Sequence, residues 1–390
     1  MTRQRLAALA ALTLLAAGCG APQSAAPPRP ATSATPRATP AAAGGFTLLA
    51  TGDVLPHDTV IEQSRRDAHG RGHDFRAMFA GVKPVVSGAD LAICHMETVY
   101  GKDGGPYTGY PAFKSPPQVA AALKDTGYDS CSTASNHSLD GGADGIRRTL
   151  GAMDAVRLRH TGSARSAAEA SRPALMKAGR AKVAQLSYTY ATNDIPPPDD
   201  QPWAVNLIDE DTIIADARTA RAAGADVVVV SLHWGTEWQT EPDLQQRTLA
   251  RALTASRTAG RPDIDLILGT HAHVPQPYEK VNGTWVVHGM GDQLAGAMYH
   301  PPNQVDPRGN QSSMARFTFA APSRPGGRWP VRKAEFLPQL TDVQNAFRVV
   351  NLGAATVRRA GRTAYTTARD SIRDAVLSRG AAKDGLTMAE

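Results

Sequence analysis

The chain has 390 residues, with 42 basic against 36 acidic side chains, 42% hydrophobic residues and 20% charged, values that exclude a wholly disordered chain and a multi-span membrane protein. The first 45 residues hold Arg3, Arg5, Arg29 and Arg37 and no acid, so from Phe46 onward 38 basic residues face 36 acidic ones. The alkaline balance is mostly a property of the tail and gives no reason to expect a nucleic-acid partner. Three cysteines, Cys19, Cys94 and Cys131, exclude a disulfide-stapled scaffold and a zinc site of four thiolates.

Residues 6–17 form a short apolar run behind Arg3 and Arg5 that closes in Leu15-Ala16-Ala17-Gly18-Cys19, and this resembles a bacterial lipoprotein signal. The resemblance implies cleavage of a signal peptide (1–18), a mature chain of 372 residues (390 − 18), lipidation at Cys19 and an extracytoplasmic, membrane-anchored location. An ordinary secretory signal with an incidental cysteine is the alternative. Residues 19–45 are almost entirely Ala, Pro, Ser, Thr and Gly, with little to bury, and read as a tether.

From Phe46, β-rich runs alternate with amphipathic stretches. Strands are expected at 46–50, 90–94, 128–133, 182–188, 226–232, 264–268 and 284–287, and helices at 75–86, 118–126, 142–154, 211–223 and 244–259. This alternation predicts an α/β fold with helices over the sheet faces. Later strands at 313–320 and 331–336 follow without helices between them and predict mixed sheets. One domain of about 300 residues is expected, over 46–352, followed by a C-terminal extension (353–390) with a helix at 366–378.

Several apolar strands run straight into metal-type ligands. The first ends in Gly52-Asp53 with His57 beyond, the second in His95-Met96-Glu97, and the third is followed by Asn136-His137. The Val-rich strand ends in His233, and the next in Gly269-Thr270-His271-Ala272-His273. Open α/β sheets place their sites at the carboxyl ends of strands, so these clusters are expected to meet in one pocket. With only His, Asp, Glu and Asn available, a Mn, Zn or Fe site is the reading. If the backbone is extended at His271 and His273, both imidazoles point the same way. His69, His73, His160 and His300 lack that placement and read as surface residues.

The order Gly52-Asp53, Glu97, Ser135-Asn136-His137-Ser138-Leu139-Asp140-Gly141-Gly142, His233-Trp234-Gly235 and Gly269-Thr270-His271-Ala272-His273-Val274-Pro275-Gln276 resembles the capsule-synthesis CapA family, associated with bacterial poly-γ-glutamate. That family is similar to the calcineurin-like metallophosphoesterases. The resemblance implies a four-layer α/β/β/α sandwich with Asp53, Glu97, Asn136, His233, His271 and His273 as metal ligands and His137 as the acid that protonates a leaving group. Three departures add candidates: His57 stands four residues after Asp53 rather than two, His95 replaces an Asn, and Gly291-Asp292-Gln293 stands where relatives read Gly-Asn-Phe.

Two divalent transition-metal ions on such ligands support hydrolysis of a phosphoester or an amide. A non-catalytic factor binding poly-γ-glutamate or its membrane synthase for export or anchoring, or a metal-free scaffold, are the competing readings. No run of basic residues marks a surface for a polyanionic polymer. By the same resemblance Cys94 and Cys131 lie on neighbouring strands; unpaired thiols are expected, with a disulfide as the alternative.

Overall fold

A computed structural model describes residues 44–300, 304–324 and 326–390. The signal segment, Cys19 and the tether as far as residue 43 lie outside the described residues. In chain order the main elements are β1 (Phe46–Val54), α1 (Asp58–Asp67), β2 (Leu91–Met96), α2 (Gln118–Thr126), β3 (Ser130–Ser132), α3 (Gly142–Ala155), β4 (Arg159–Thr161), β5 (Ala174–Ala178), β6 (Ala181–Thr189), α4 (Glu210–Ala222), β7 (Val227–His233), α5 (Leu244–Ala255), β8 (Leu266–Thr270), β9 (Tyr278–Val281), β10 (Thr284–Val287), β11 (Asp292–Leu294), β12 (Gln311–Phe319), β13 (Val331–Asp342), β14 (Arg348–Asn351), α6 (Thr363–Leu377) and β15 (Leu386–Met388).

Two mixed sheets result. The first runs β14-β13-β12-β1-β2-β3-β4, with β11 added to β1 and β15 to β13, and the second runs β9-β10-β8-β7-β6-β5. In the first sheet β1 to β4 are parallel and β12 to β14 antiparallel; in the second, β6, β7, β8 and β10 are parallel.

Alternation along the strands sets the layers, because successive side chains point to opposite faces. Leu48, Ala50, Val227, Val229, Leu266 and Leu268 join Phe317, Phe319, Phe336 and Trp285 in one core between the sheets. Leu49, Ala92 and Met96 face outward onto Phe79, Leu123 and Met153, and Val228, Val230 and Ile267 onto Ile213, Ala217 and Leu253. Helix, sheet, sheet and helix therefore stack in four layers. Ala368, Ile372 and Val376 of α6 also enter the inter-sheet core.

Two expectations need correction. The helix expected over 75–86 is two short turns, Arg76–Phe79 and Lys83–Val86; a side chain at Gly81 would collide with the Val349 carbonyl, and Pro84 starts a turn but cannot continue one. The thiols of Cys94 and Cys131 form a disulfide. The two residues face each other in register on β2 and β3 with Cα atoms 4.4 Å apart, at the near limit of what a disulfide spans. No helix among the described residues is long and apolar enough to cross a membrane.

Candidate metal centre

The site forms where the parallel strands of both sheets end. At the tip of β1 the ladder to β2 slips between Ala50 and Asp53, and β11 pairs with the tip so that Asp53 lies opposite Asp292. Gly52 makes this approach possible: a Cβ there would collide with the Gly291 carbonyl, to which the Asp53 N–H donates at 3.1 Å. Gly269 does the same for β8, its missing Cβ leaving room for the His288 carbonyl. The loop after β7 is pinned by the Trp234 indole, which donates to the His288 carbonyl at 2.9 Å, and by a capping box between Asp243 and Gln246 at the start of α5.

Around Asp53 the donors close in. Its Oδ1 lies 3.5 Å from His95 Nε2 and 3.8 Å from His233 Nδ1, and its Oδ2 accepts the His271 N–H at 3.1 Å. His273 Nδ1 is 2.8 Å from Asp292 Oδ1, and its Nε2 is 4.0 Å from Glu97 Oε1. Three groups each have donor atoms within 4.8 Å of one another: Asp53, His95 and His233; Asp53, His273 and Asp292; and Glu237, His271 and His273. Asn136 Oδ1 lies 2.8 Å from His233 Nε2. Of the residues singled out from sequence, Asp53, His95, Glu97, Asn136, His233, His271, His273 and Asp292 come together. His57 stays outside the three groups, with Nδ1 3.0 Å from the Leu55 carbonyl and its ring edge against Phe113.

The backbone at His271 and His273 is not extended. Their φ values are +91° and +58°, a left-handed region that side chains other than glycine seldom adopt. The rings meet, with centroids 5.9 Å apart, because a tight turn after β8 curls both residues toward Asp53. Backbone strain of this kind concentrates at functional sites.

His137 stands beside this cluster. Its Nδ1 is 2.7 Å from Asp140 Oδ2, which also accepts the Phe113 N–H at 2.7 Å. Asn193, from the loop after β6, accepts from the Asn136 amide at 3.2 Å and lies 3.4 Å from His137 Nδ1, while Tyr190 covers His271 with centroids 4.5 Å apart. The sequence reading missed Glu237, Asn193 and Tyr190. Glu237 carried one signal, a carboxylate four residues after the strand-end His233; the other two come from a loop with no ligand pattern.

Burial sets the electrostatics. It lifts the Asp53 carboxyl to about 8, helped by the charge of Asp292, raises Asp292 and holds Glu97 well above the ordinary carboxylate range. Burial and the neighbouring His273 bring His95 down to about 3, and burial with adjacent imidazoles lowers His233 and His271 strongly. Burial also acts to lower His273, but the charges of Asp292 and Glu97 outweigh it and hold that imidazole well above its usual value. Outside the cluster, burial brings His57 to about 4.

Six donor atoms, Asp53 Oδ1, His95 Nε2, both Glu97 oxygens, His271 Nδ1 and Asp292 Oδ2, are buried with no hydrogen-bond partner. Unpartnered buried polar atoms are costly, and a cation satisfies carboxylates and imidazoles at once. The mixed oxygen and nitrogen set fits a divalent transition metal.

The family described as bacterial capsule synthesis protein PGA_cap matches residues 47–297. A relative from Bacillus subtilis (strain 168) named PGA biosynthesis protein CapA is 32% identical over 171 residues, 44% of this chain and 43% of that protein. One from Mycobacterium tuberculosis (strain CDC 1551 / Oshkosh), named "Probable polyglutamine synthesis accessory protein", is 26% identical over 218 residues, 52% of this chain and 55% of that protein. The chain spans about half the length of these curated relatives. The fold is similar to a calcineurin-like phosphoesterase from Bacillus subtilis, with 14% identity, TM-score 0.41 and coverage of 84% of this chain and 99% of that one. With more than half of its length matched, the chain belongs to the bacterial capsule synthesis protein PGA_cap family.

Proposed function

We propose that this protein is an exported, lipid-anchored component of capsule or poly-γ-glutamate biosynthesis with a metal-dependent hydrolase site. One observation carries the reading: donors from separate strand ends of both sheets meet with six buried atoms unpaired. Asp53, common to two donor groups, would hold divalent metal together with His95, His233, His273 and Asp292. Glu97, Asn136 and His271 complete the set. Mn, Zn or Fe bound there supplies Lewis acidity and hydroxide near neutral pH.

The chain's own residues do the rest. Asp140 fixes His137 through Nδ1, leaving Nε2 to hold the proton for the departing atom of a phosphoester or amide. Asn193 accepts from the Asn136 amide and stands beside the His137 ring. The names of the relatives support placement beside a polymer synthase, and the segment ending at Cys19 supports a membrane anchor.

The test is elemental analysis of the purified full chain supplied with manganese or zinc, followed by hydrolysis of a phosphodiester and a γ-glutamyl amide. The expectation is bound transition metal, with turnover lost in the His271→Ala, His273→Ala double variant. A protein that takes up no transition metal defeats the proposal. A metal-loaded protein without turnover, whose double variant leaves polymer levels unchanged, supports the accessory role named for the mycobacterial relative. For the anchor, Cys19→Ser should release the protein from the membrane fraction; unchanged membrane retention argues against lipidation.

A further inference from the structure

We infer a second binding site, remote in sequence from the metal ligands: a basic groove for an extended polycarboxylate chain where the edges of the two sheets meet at β4, β5 and β6. The charge distribution points there. Seven of the 38 basic residues from Phe46 onward, but one of the 36 acids, fall within residues 157–182, so the rest of that stretch of chain carries more acids than bases. No run of basic residues marks this surface in the sequence, because the basic residues are spaced along a turn, two strands and a hairpin rather than run together.

Folding gathers five of the seven, Arg159, Arg165, Arg172, Lys177 and Lys182. One concavity of about 380 Å³ is lined by Arg159, His160, Arg165 and Arg172 together with Asp154 and Glu169. A second of about 400 Å³ shares Arg159 and Leu175 with it and adds Lys177 and Lys182. Both acids are already engaged: Arg165 bonds Asp154 at 2.7 Å and Glu169 at 3.0 Å, and His160 lies 3.2 Å from Asp154. Arg159, Arg172, Lys177 and Lys182 are exposed, and among the described residues none of these four side chains has an acidic partner.

Lys177 and Lys182 also sit directly opposite one another across the β5–β6 hairpin. Like charges in that register weaken a sheet, so the pair does the fold no service that one lysine would not. An anion laid between them removes the repulsion.

The walls select the kind of anion. Leu175, Met176, Ala164, Ala170 and Pro173 line the two concavities, and no Phe, Tyr or Trp does. Single-stranded nucleic acids are held largely by stacking on aromatic rings, which are missing here. An acyl backbone with pendant carboxylates matches aliphatic walls and guanidinium forks, which take carboxylates in two-point contacts. The surface is concave, and none of the exposed large apolar residues among those described, such as Tyr110, Leu244 and Tyr299, is part of either lining. The inference stands apart from the hydrolase reading, because binding here needs neither metal nor turnover.

The test uses the full chain with poly-L-glutamate of defined length at low and high salt, beside double-stranded DNA and anionic lipid vesicles. Poly-L-glutamate is expected to bind, to weaken steeply with salt as exposed charges are screened, and to lose about tenfold or more in the Arg159→Glu, Arg172→Glu, Lys177→Glu, Lys182→Glu variant. The His271→Ala, His273→Ala variant should bind as the parent does. A milder Arg172→Gln, Lys177→Gln variant, at two exposed positions, guards against a folding defect and should show a smaller loss in the same direction. Equal binding of poly-L-glutamate by parent and charge-reversed chains overturns the inference. So does a preference for DNA or vesicles over poly-L-glutamate at the same salt.

Discussion

The body of β1 and its tip belong to one strand and do opposite work. Over Phe46–Ala50 each inward residue packs between the sheets, Phe46 stacking on Phe319 with centroids 4.8 Å apart, and no charged group is present. Three residues later Asp53 is as deeply buried but set among polar groups, His95, His233, His271 and Asp292, several of whose atoms have no hydrogen-bond partner. The body contributes stability through apolar burial, and the tip gives some of it back for a place to hold a cation. A fold that separates these roles along one strand should let either be broken alone.

The largest effect should come from the body. Leu48→Ala removes a fully buried side chain from the inter-sheet core and should destabilise by about 2–5 kcal/mol in denaturant unfolding. Metal bound per folded molecule should stay at the parent level. Loss of metal at temperatures where the variant remains folded would join what the comparison separates.

Asp53→Asn is the complementary cut. It keeps size and an acceptor but removes the carboxylate common to two donor groups, and metal affinity should fall by about 100-fold or more, beyond the usual cost of altering a ligand's supporting contacts. In chelator near pH 8 the variant should melt no lower than the parent, because Asn replaces a buried carboxyl that must otherwise keep a proton or bury a charge. A stability loss as large as that of Leu48→Ala would show that the tip also holds the sheets together.

The same contrast explains what could be read from sequence. The strand bodies were legible because alternation writes burial directly into residue order: Val227, Val229 and Val228, Val230 face opposite layers. The site was legible as far as its donors followed such strands, which covers Asp53, His95, Glu97, His233, His271 and His273. Its geometry was not. Extended backbone at His271 and His273 is the default after a strand, and only the crowding that curls the β8 loop gives them positive φ. Helix α1 was invisible for the opposite reason, with only Val60, Ile61 and Ser64 buried on an otherwise charged segment. Glu237 and Asn193 enter through loops whose paths depend on contacts far away in sequence, such as the Trp238 N–H on the Ala272 carbonyl at 2.9 Å.

A cut beside the tip should affect turnover without affecting metal. Asp140→Asn leaves the metal ligands in place but weakens the grip on His137 Nδ1. Hydrolysis should fall by about 10- to 100-fold, as when a supporting carboxylate behind a histidine is lost, with metal content unchanged by elemental analysis. A fall in metal content instead would place Asp140 in support of the ligands through Asn136.

The mildest effect is a pH dependence, and it distinguishes tip from body by sign. Without a cation the folded protein holds a proton on Asp53 up to about pH 8, against an ordinary value of 3.8. The unfolded chain releases that proton earlier, so this carboxyl's contribution to stability is whole below about pH 4 and drains away as pH rises toward 8. His273, also raised, acts in the same sense. A bound ion displaces these protons, so apparent metal affinity should climb by about tenfold per pH unit for each proton released, the share due to Asp53 flattening above about pH 8. In chelator, then, the melting temperature of the parent should decline from pH 5 to pH 8 relative to Asp53→Asn, whereas with saturating manganese it should rise. Leu48→Ala should displace both curves downward and bend neither. Titration calorimetry in two buffers of different ionisation heat counts the protons directly, and a count near zero between pH 6 and 7 would mean that Asp53 and His273 are not displaced by the metal.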